Sequence, residues 1–153
     1  MKTSEAIAHK SESIVVECDL PHSPAKVWRA LTEPALLGQW LMQNDIKPEI
    51  GHRFTMQSKP VEGWDGTVQC EVLEVVPQKR LRFAWRGGSA EVTGYGHFID
   101  TTVTWTLTAI DTGTRLRLDH AGFPPRSFAL KAMGEGWNRL VTTCLKGLLA
   151  RTA

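Results

Sequence analysis

A chain of 153 residues has the length of one domain and can bury roughly 70% of the surface it exposes unfolded, so it needs no disulfide or metal to fold. Hydrophobic residues at 42% and charged residues at 22% exclude a disordered chain or a fibre. Eighteen basic against 16 acidic residues leave a net charge of +2, too even a balance to indicate a nucleic-acid partner.

Residues 1–12 read as a flexible tail and residues 13–151 as a single domain. The tail carries Lys2, Glu5, Lys10 and Glu12 with no apolar core, so no secretory signal is expected. No apolar run reaches the ~18–20 residues that cross a bilayer. Cys18, Cys70 and Cys144 are odd in number and lack a C-x-x-C spacing; they read as reduced core thiols of a cytoplasmic protein.

The β-branched run Ile14-Val15-Val16 predicts a strand over 13–20 that ends at Pro21. Ser23-Pro24 then gives a helix cap followed by proline at the first helical position, where its missing N–H costs nothing. Val27, Trp28 and Leu31 follow at helical spacing, and Pro34 restarts the chain into a second short helix carrying Leu36, Leu37, Trp40 and Leu41. From Gly51 the period becomes two. Phe54 and Met56 alternate with polar residues, as do Val68, Cys70 and Val72, whose phase slips at Leu73 to suggest a bulge. Leu81, Phe83 and Trp85 alternate with Arg80, Arg82 and Arg86, whereas 87–100, with four glycines, reads as a loop or weak edge strand.

Val103, Trp105 and Leu107 alternate with threonines. Across the turn Asp111-Thr112-Gly113, Leu116, Leu118 and His120 alternate with Arg115, Arg117 and Asp119, the pattern of a hairpin with one wet face. A final helix over about 127–150 places Leu130, Met133, Trp137, Leu140, Val141, Cys144, Leu145 and Leu148 on one stripe. Its ~24 residues make a rod of about 36 Å, long enough to cross a sheet. An α+β fold, with a curved antiparallel sheet around that helix, satisfies every apolar face.

Several stretches resemble a known family: Pro24 to Pro34 (PAKVWRALTEP), Val72 to Pro77 (VLEVVP), Arg80 to Trp85 (RLRFAW), Thr102 to Leu107 (TVTWTL), Gly113 to Leu116, His120 to Phe123, and Gly136-Trp137. In their order and spacing they are similar to homologues of the activator of the ninety-kilodalton heat-shock chaperone ATPase (AHSA type), within the START-like (SRPBCC, Bet v-like) superfamily. That resemblance implies a helix-grip fold: six to seven antiparallel strands, two short helices after the first strand, and a cavity between sheet and long helix. The superfamily includes hydrophobic-ligand carriers, polyketide cyclases, self-resistance proteins and chaperone activators, so function has to be argued from the site.

Enzyme motifs such as G-x-S-x-G, Walker A and H-E-x-x-H are absent from the sequence, and no pair of its five histidines has ligand spacing, so no metal or cofactor is expected. Asp119 and His120 are adjacent on a strand and point to opposite faces, which keeps them from pairing. Phase places His120 inward, as a bonded core histidine or as the polar handle of a ligand, and it is the one catalytic candidate. The arginines 80, 82, 115 and 117 fall on the outer face as a solvated row. Six tryptophans carry more information. Trp85, Trp105 and Trp137 fall on inward faces, and Trp40 and Trp64 near a pocket mouth; bulky rings between a helix and a curved sheet leave irregular gaps that methionine can line.

A binder of a small hydrophobic, aromatic ligand is therefore expected, with Trp40, Met56, Trp64, Phe83, Trp85, Trp105, His120, Met133 and Trp137 as its ligand-binding residues. The rivals are a cyclase- or hydrolase-type enzyme in the same cavity and a module that docks on a chaperone. A second copy of the chain is a further candidate partner.

Overall fold

The computed structural model describes residues 12–152. The expected tail therefore falls outside the described residues except for Glu12, which opens the first strand. Strand β1 (Glu12–Leu20) is followed by helices α1 (Pro24–Thr32) and α2 (Pro34–Trp40) and the short strand β2 (Gln43–Asn44). Strands β3 (Arg53–Gln57), β4 (Thr67–Val76), β5 (Arg80–Gly87), β6 (Ile99–Ile110) and β7 (Gly113–Phe123) come next. The long helix α3 closes the chain as three continuous segments, α-helical over Phe128–Arg139, π-helical over Leu140–Leu145 and α-helical over Lys146–Ala150.

All seven strands form one antiparallel sheet in the order β1-β7-β6-β5-β4-β3-β2. β2 to β7 run as a meander, and β1 joins its far side beside β7. Two irregularities interrupt the ladder. Val72 faces Phe83 while Glu74 faces Arg82, so Leu73 is an extra residue, the bulge that its phase slip indicates. Ser13 faces Ala121 and Glu12 faces Phe123, which makes Gly122 the extra residue in β7. Its φ is +106°, and a Cβ there would stand 3.3 Å from the Thr101 Cα, so the position favours glycine twice over.

Alternation then sorts the side chains. Phe54, Met56, Val72, Phe83, Trp85, Val103, Trp105, Leu116, Leu118 and His120 are buried on the concave face. The arginines face out, each against a carboxylate: Arg115 on Asp19 at 2.8 Å, Arg117 on Asp119 at 2.8 Å, Arg82 and Arg80 on Glu74 at 3.4 and 3.9 Å. The outer face is thus a solvated lattice of opposite charges, each pair worth ~0–1 kcal/mol.

Local chemistry sets the helices. Ser23 Oγ accepts the Lys26 N–H at 3.2 Å to start α1, with Pro24 at its first position. Ser127 Oγ accepts the Leu130 N–H at 3.0 Å to start α3. The first segment of α3 packs against β1, and its end reaches α1. Val141, Leu145, Leu148 and Leu149 complete the core. Among the described residues, no helix is long and apolar enough to cross a membrane.

Candidate functional site

Trp137 is the pivot of the interior. Its ring meets Trp85 at 5.8 Å and Trp105 at 5.6 Å between centroids, both edge-on, and Trp105 meets Trp40 at 5.9 Å. Edge-to-face geometry puts the positive rim of one ring on the negative face of the next. The Trp137 indole N–H donates to His120 Nδ1 at 2.9 Å, while His120 Nε2 lies 2.8 Å from Thr101 Oγ1, which donates to the Trp85 carbonyl at 2.9 Å. An indole N–H only donates, so Nδ1 is the acceptor and the imidazole carries its proton on Nε2. The Nε2–H donates to Thr101. His120 is fully buried, and burial pushes its pKa down to about 3.

Beside this column lies a hollow of about 400 Å3, within the ~300–1,000 Å3 of small-molecule sites. Trp64, Trp85, Met133 and Trp137 line it, together with Tyr95, Phe128, Ile99, Leu140, Gly136 and Arg139. It sits between the α-helical part of α3, the start of β4, the end of β5, and the loop 88–98 that leads into β6. Trp64 and Tyr95 meet edge-on at 5.8 Å. The Tyr95 hydroxyl reaches across to Ser58 Oγ at 2.7 Å and donates to the Lys59 carbonyl at 2.6 Å, tying loop 88–98 to the β3–β4 connection.

Four of the nine expected residues, Trp64, Trp85, Met133 and Trp137, come together on this wall. Trp40, Met56, Phe83, Trp105 and His120 are buried in the core around it, off the lining. Trp40 was expected near a mouth but is 3% exposed, its indole N–H satisfied by the Ala30 carbonyl at 2.9 Å. His120 is turned to Trp137 and Thr101 and presents neither ring nitrogen to the hollow. Among the wall residues that sequence reasoning left out, Tyr95 lies on the glycine-rich loop and Phe128, Gly136 and Arg139 on α3. The signal was the Gly94-Tyr95-Gly96 triplet, an aromatic between two flexible positions in a segment with no period.

All three thiols are free, and burial raises the pKa of Cys70 and Cys18. Among the described residues, no three of His, Cys, Asp and Glu gather as metal ligands.

The family model described as "Activator of Hsp90 ATPase homolog 1-like protein" matches residues 21–150. The chain belongs to this family. Among solved structures, this family member is similar to protein MLL2253 from Mesorhizobium loti, at 39% identity and a TM-score of 0.81, over 93% of this chain and 99% of that one. Protein BH1534 from Bacillus halodurans aligns at 26% identity and a TM-score of 0.72, over 92% and 99% of the two chains. DynU16, a protein in the dynemicin biosynthetic locus, aligns at 26% and 0.71, over 91% of this chain and 47% of its own. No curated protein matches. The helix-grip, SRPBCC-like architecture and the family read from the motifs are both borne out.

Proposed function

We propose that this family member binds a small hydrophobic molecule with an aromatic body in the hollow beside Trp85 and Trp137. The observation that carries the proposal is the wall itself: the aromatic rings of Trp64, Tyr95, Trp85, Phe128 and Trp137, together with Met133, line a hollow of about 400 Å3. Transfer of apolar surface out of water drives such binding, at about 25 cal/mol per Å2 before ordering costs. Most polar groups near the wall are already engaged: Tyr95 with Lys59 and Ser58, Trp64 with the Thr67 carbonyl, Trp137 with His120. Shape and apolar contact therefore dominate selection.

Catalysis with His120 as acid or base has no comparable support, because its ring is enclosed and both nitrogens are bonded inside the protein. Family membership is compatible with a chaperone partner as well as a small molecule; the hollow is what favours the small molecule. The position of one similar protein in a biosynthetic locus agrees with a small-molecule role. The test is intrinsic tryptophan fluorescence titrated with a panel of neutral aromatic compounds. Three of six tryptophans line the hollow, so a saturable change in intensity or wavelength is expected. Silence across the panel overturns the proposal.

A further inference from the structure

Among the described residues, the wall of the hollow carries one permanent cation, Arg139, and no carboxylate. Elsewhere the arginines of the sheet are paired: Arg53 with Glu71, Arg80 and Arg82 with Glu74, Arg86 with Asp100, Arg115 with Asp19, Arg117 with Asp119. Arg139 has no acidic partner among the described residues. Glu135, one turn earlier on the same helix, has the spacing for an i,i+4 pair, yet no ion pair joins the two. Arg139 is exposed and ends the α-helical part of α3, where the helix widens into its π-helical turns. Such turns occur frequently at functional sites. A guanidinium at the rim of an apolar chamber is a planar fork of donors that matches a carboxylate, sulfonate or phosphate.

From this we infer that the ligand is amphipathic: an apolar aromatic body inside the hollow and an anionic group at the rim on Arg139. The inference rests on the proposed binding site and adds the charge of what binds there. Burial of the body supplies most of the affinity. The exposed ion pair sets orientation and preference, and contributes about a fivefold factor.

Two fluorescent probes that share one skeleton separate the contributions: 1-anilinonaphthalene-8-sulfonate is anionic, and N-phenyl-1-naphthylamine is neutral. Wild-type protein is expected to bind the sulfonate about fivefold tighter than the neutral probe. Arg139→Gln should abolish that preference, and Arg139→Glu should reverse it. Gly136→Leu, which projects a side chain into the hollow, should weaken both probes and so locate them. Equal binding of the two probes, or a preference unchanged in Arg139→Gln, overturns the anionic inference and leaves the hydrophobic site standing. Sulfonate binding that keeps its full strength in Gly136→Leu places that probe elsewhere and also overturns it. Failure of both probes to bind wild-type protein overturns the site itself.

Discussion

A proton added to His120 at Nδ1 would face the Trp137 N–H across 2.9 Å, two donors against each other in a site without water access. Burial acts in the same direction, and together they hold the imidazole neutral, with a pKa near 3 against ~6.5 in the unfolded chain. Between those values the unfolded chain binds more protons than the folded one, so stability rises with pH. The His120 contribution is complete above about pH 6.5, declines as pH falls through the window, and levels off below about 3. Acidification from pH 7 to pH 4 should withdraw about 3 kcal/mol through this residue, at about 1.4 kcal/mol per tenfold ratio. Urea unfolding at both pH values checks this against His120→Gln, which keeps a donor and an acceptor but never charges. Wild type should lose about 3 kcal/mol more than the variant; parallel losses would show that His120 is not the group responsible. The inward direction of His120 was legible from its alternation with Arg117 and Asp119. Its partners were not, because Trp137 and Thr101 lie 17 and 19 residues away on different elements and no local period encodes which pair meets.

Among the elements, α3 shows what a hydrophobic stripe can and cannot announce. The apolar stripe from Leu130 to Leu148 marked its extent closely. The π-helical turns 140–145 left no sign, since an i→i+5 register preserves an apolar face over so short a span. The stretch 87–100 was read only as a loop or weak edge strand for the opposite reason: glycine erases the period that a strand or helix would show. The C-terminus of α3 depends on a residue far away in sequence. Lys26 on α1 donates from Nζ to the Leu149 carbonyl at 2.8 Å and to the Thr152 carbonyl at 2.7 Å, placing a cation where the helix leaves carbonyls without partners. Lys26→Met keeps the stem's packing and removes only the charge and donors. It should cost about 1–2 kcal/mol, with faster amide exchange confined to the last turn of α3 and the facing turn of α1. A loss below about 0.5 kcal/mol would mean that water caps this end equally well.

At the scale of the whole molecule, the hollow is a consequence of how one long helix meets a bent sheet. The first segment of α3 rests on β1 and its end on α1, while β4, β5 and the loop before β6 curve away from it, and side chains reach only part of the way across. Alternation and chain order conveyed this layered architecture, but the width of the gap depends on curvature, to which the bulges at Leu73 and Gly122 contribute. If the gap is a binding site, ligand and stability are linked by mass action. A ligand at a hundred times its Kd adds about 2.7 kcal/mol, and at ~2–4 °C per kcal/mol for a chain of this size the Tm of wild type should rise roughly 5–10 °C with saturating N-phenyl-1-naphthylamine. Gly136 supplies the control. It lies on the wall, its backbone needs no positive φ, and a Cβ there meets nothing within 4 Å. Leucine at this position has space to enter and relieves the helix of glycine's cost of about 1 kcal/mol. Gly136→Leu should therefore melt about 2–4 °C above wild type without ligand and gain little or nothing when the probe is added. A higher intrinsic Tm together with a lost ligand increment has one physical cause, the hollow filled from within. A variant that keeps the full increment would mean that the probe sits somewhere else on the protein.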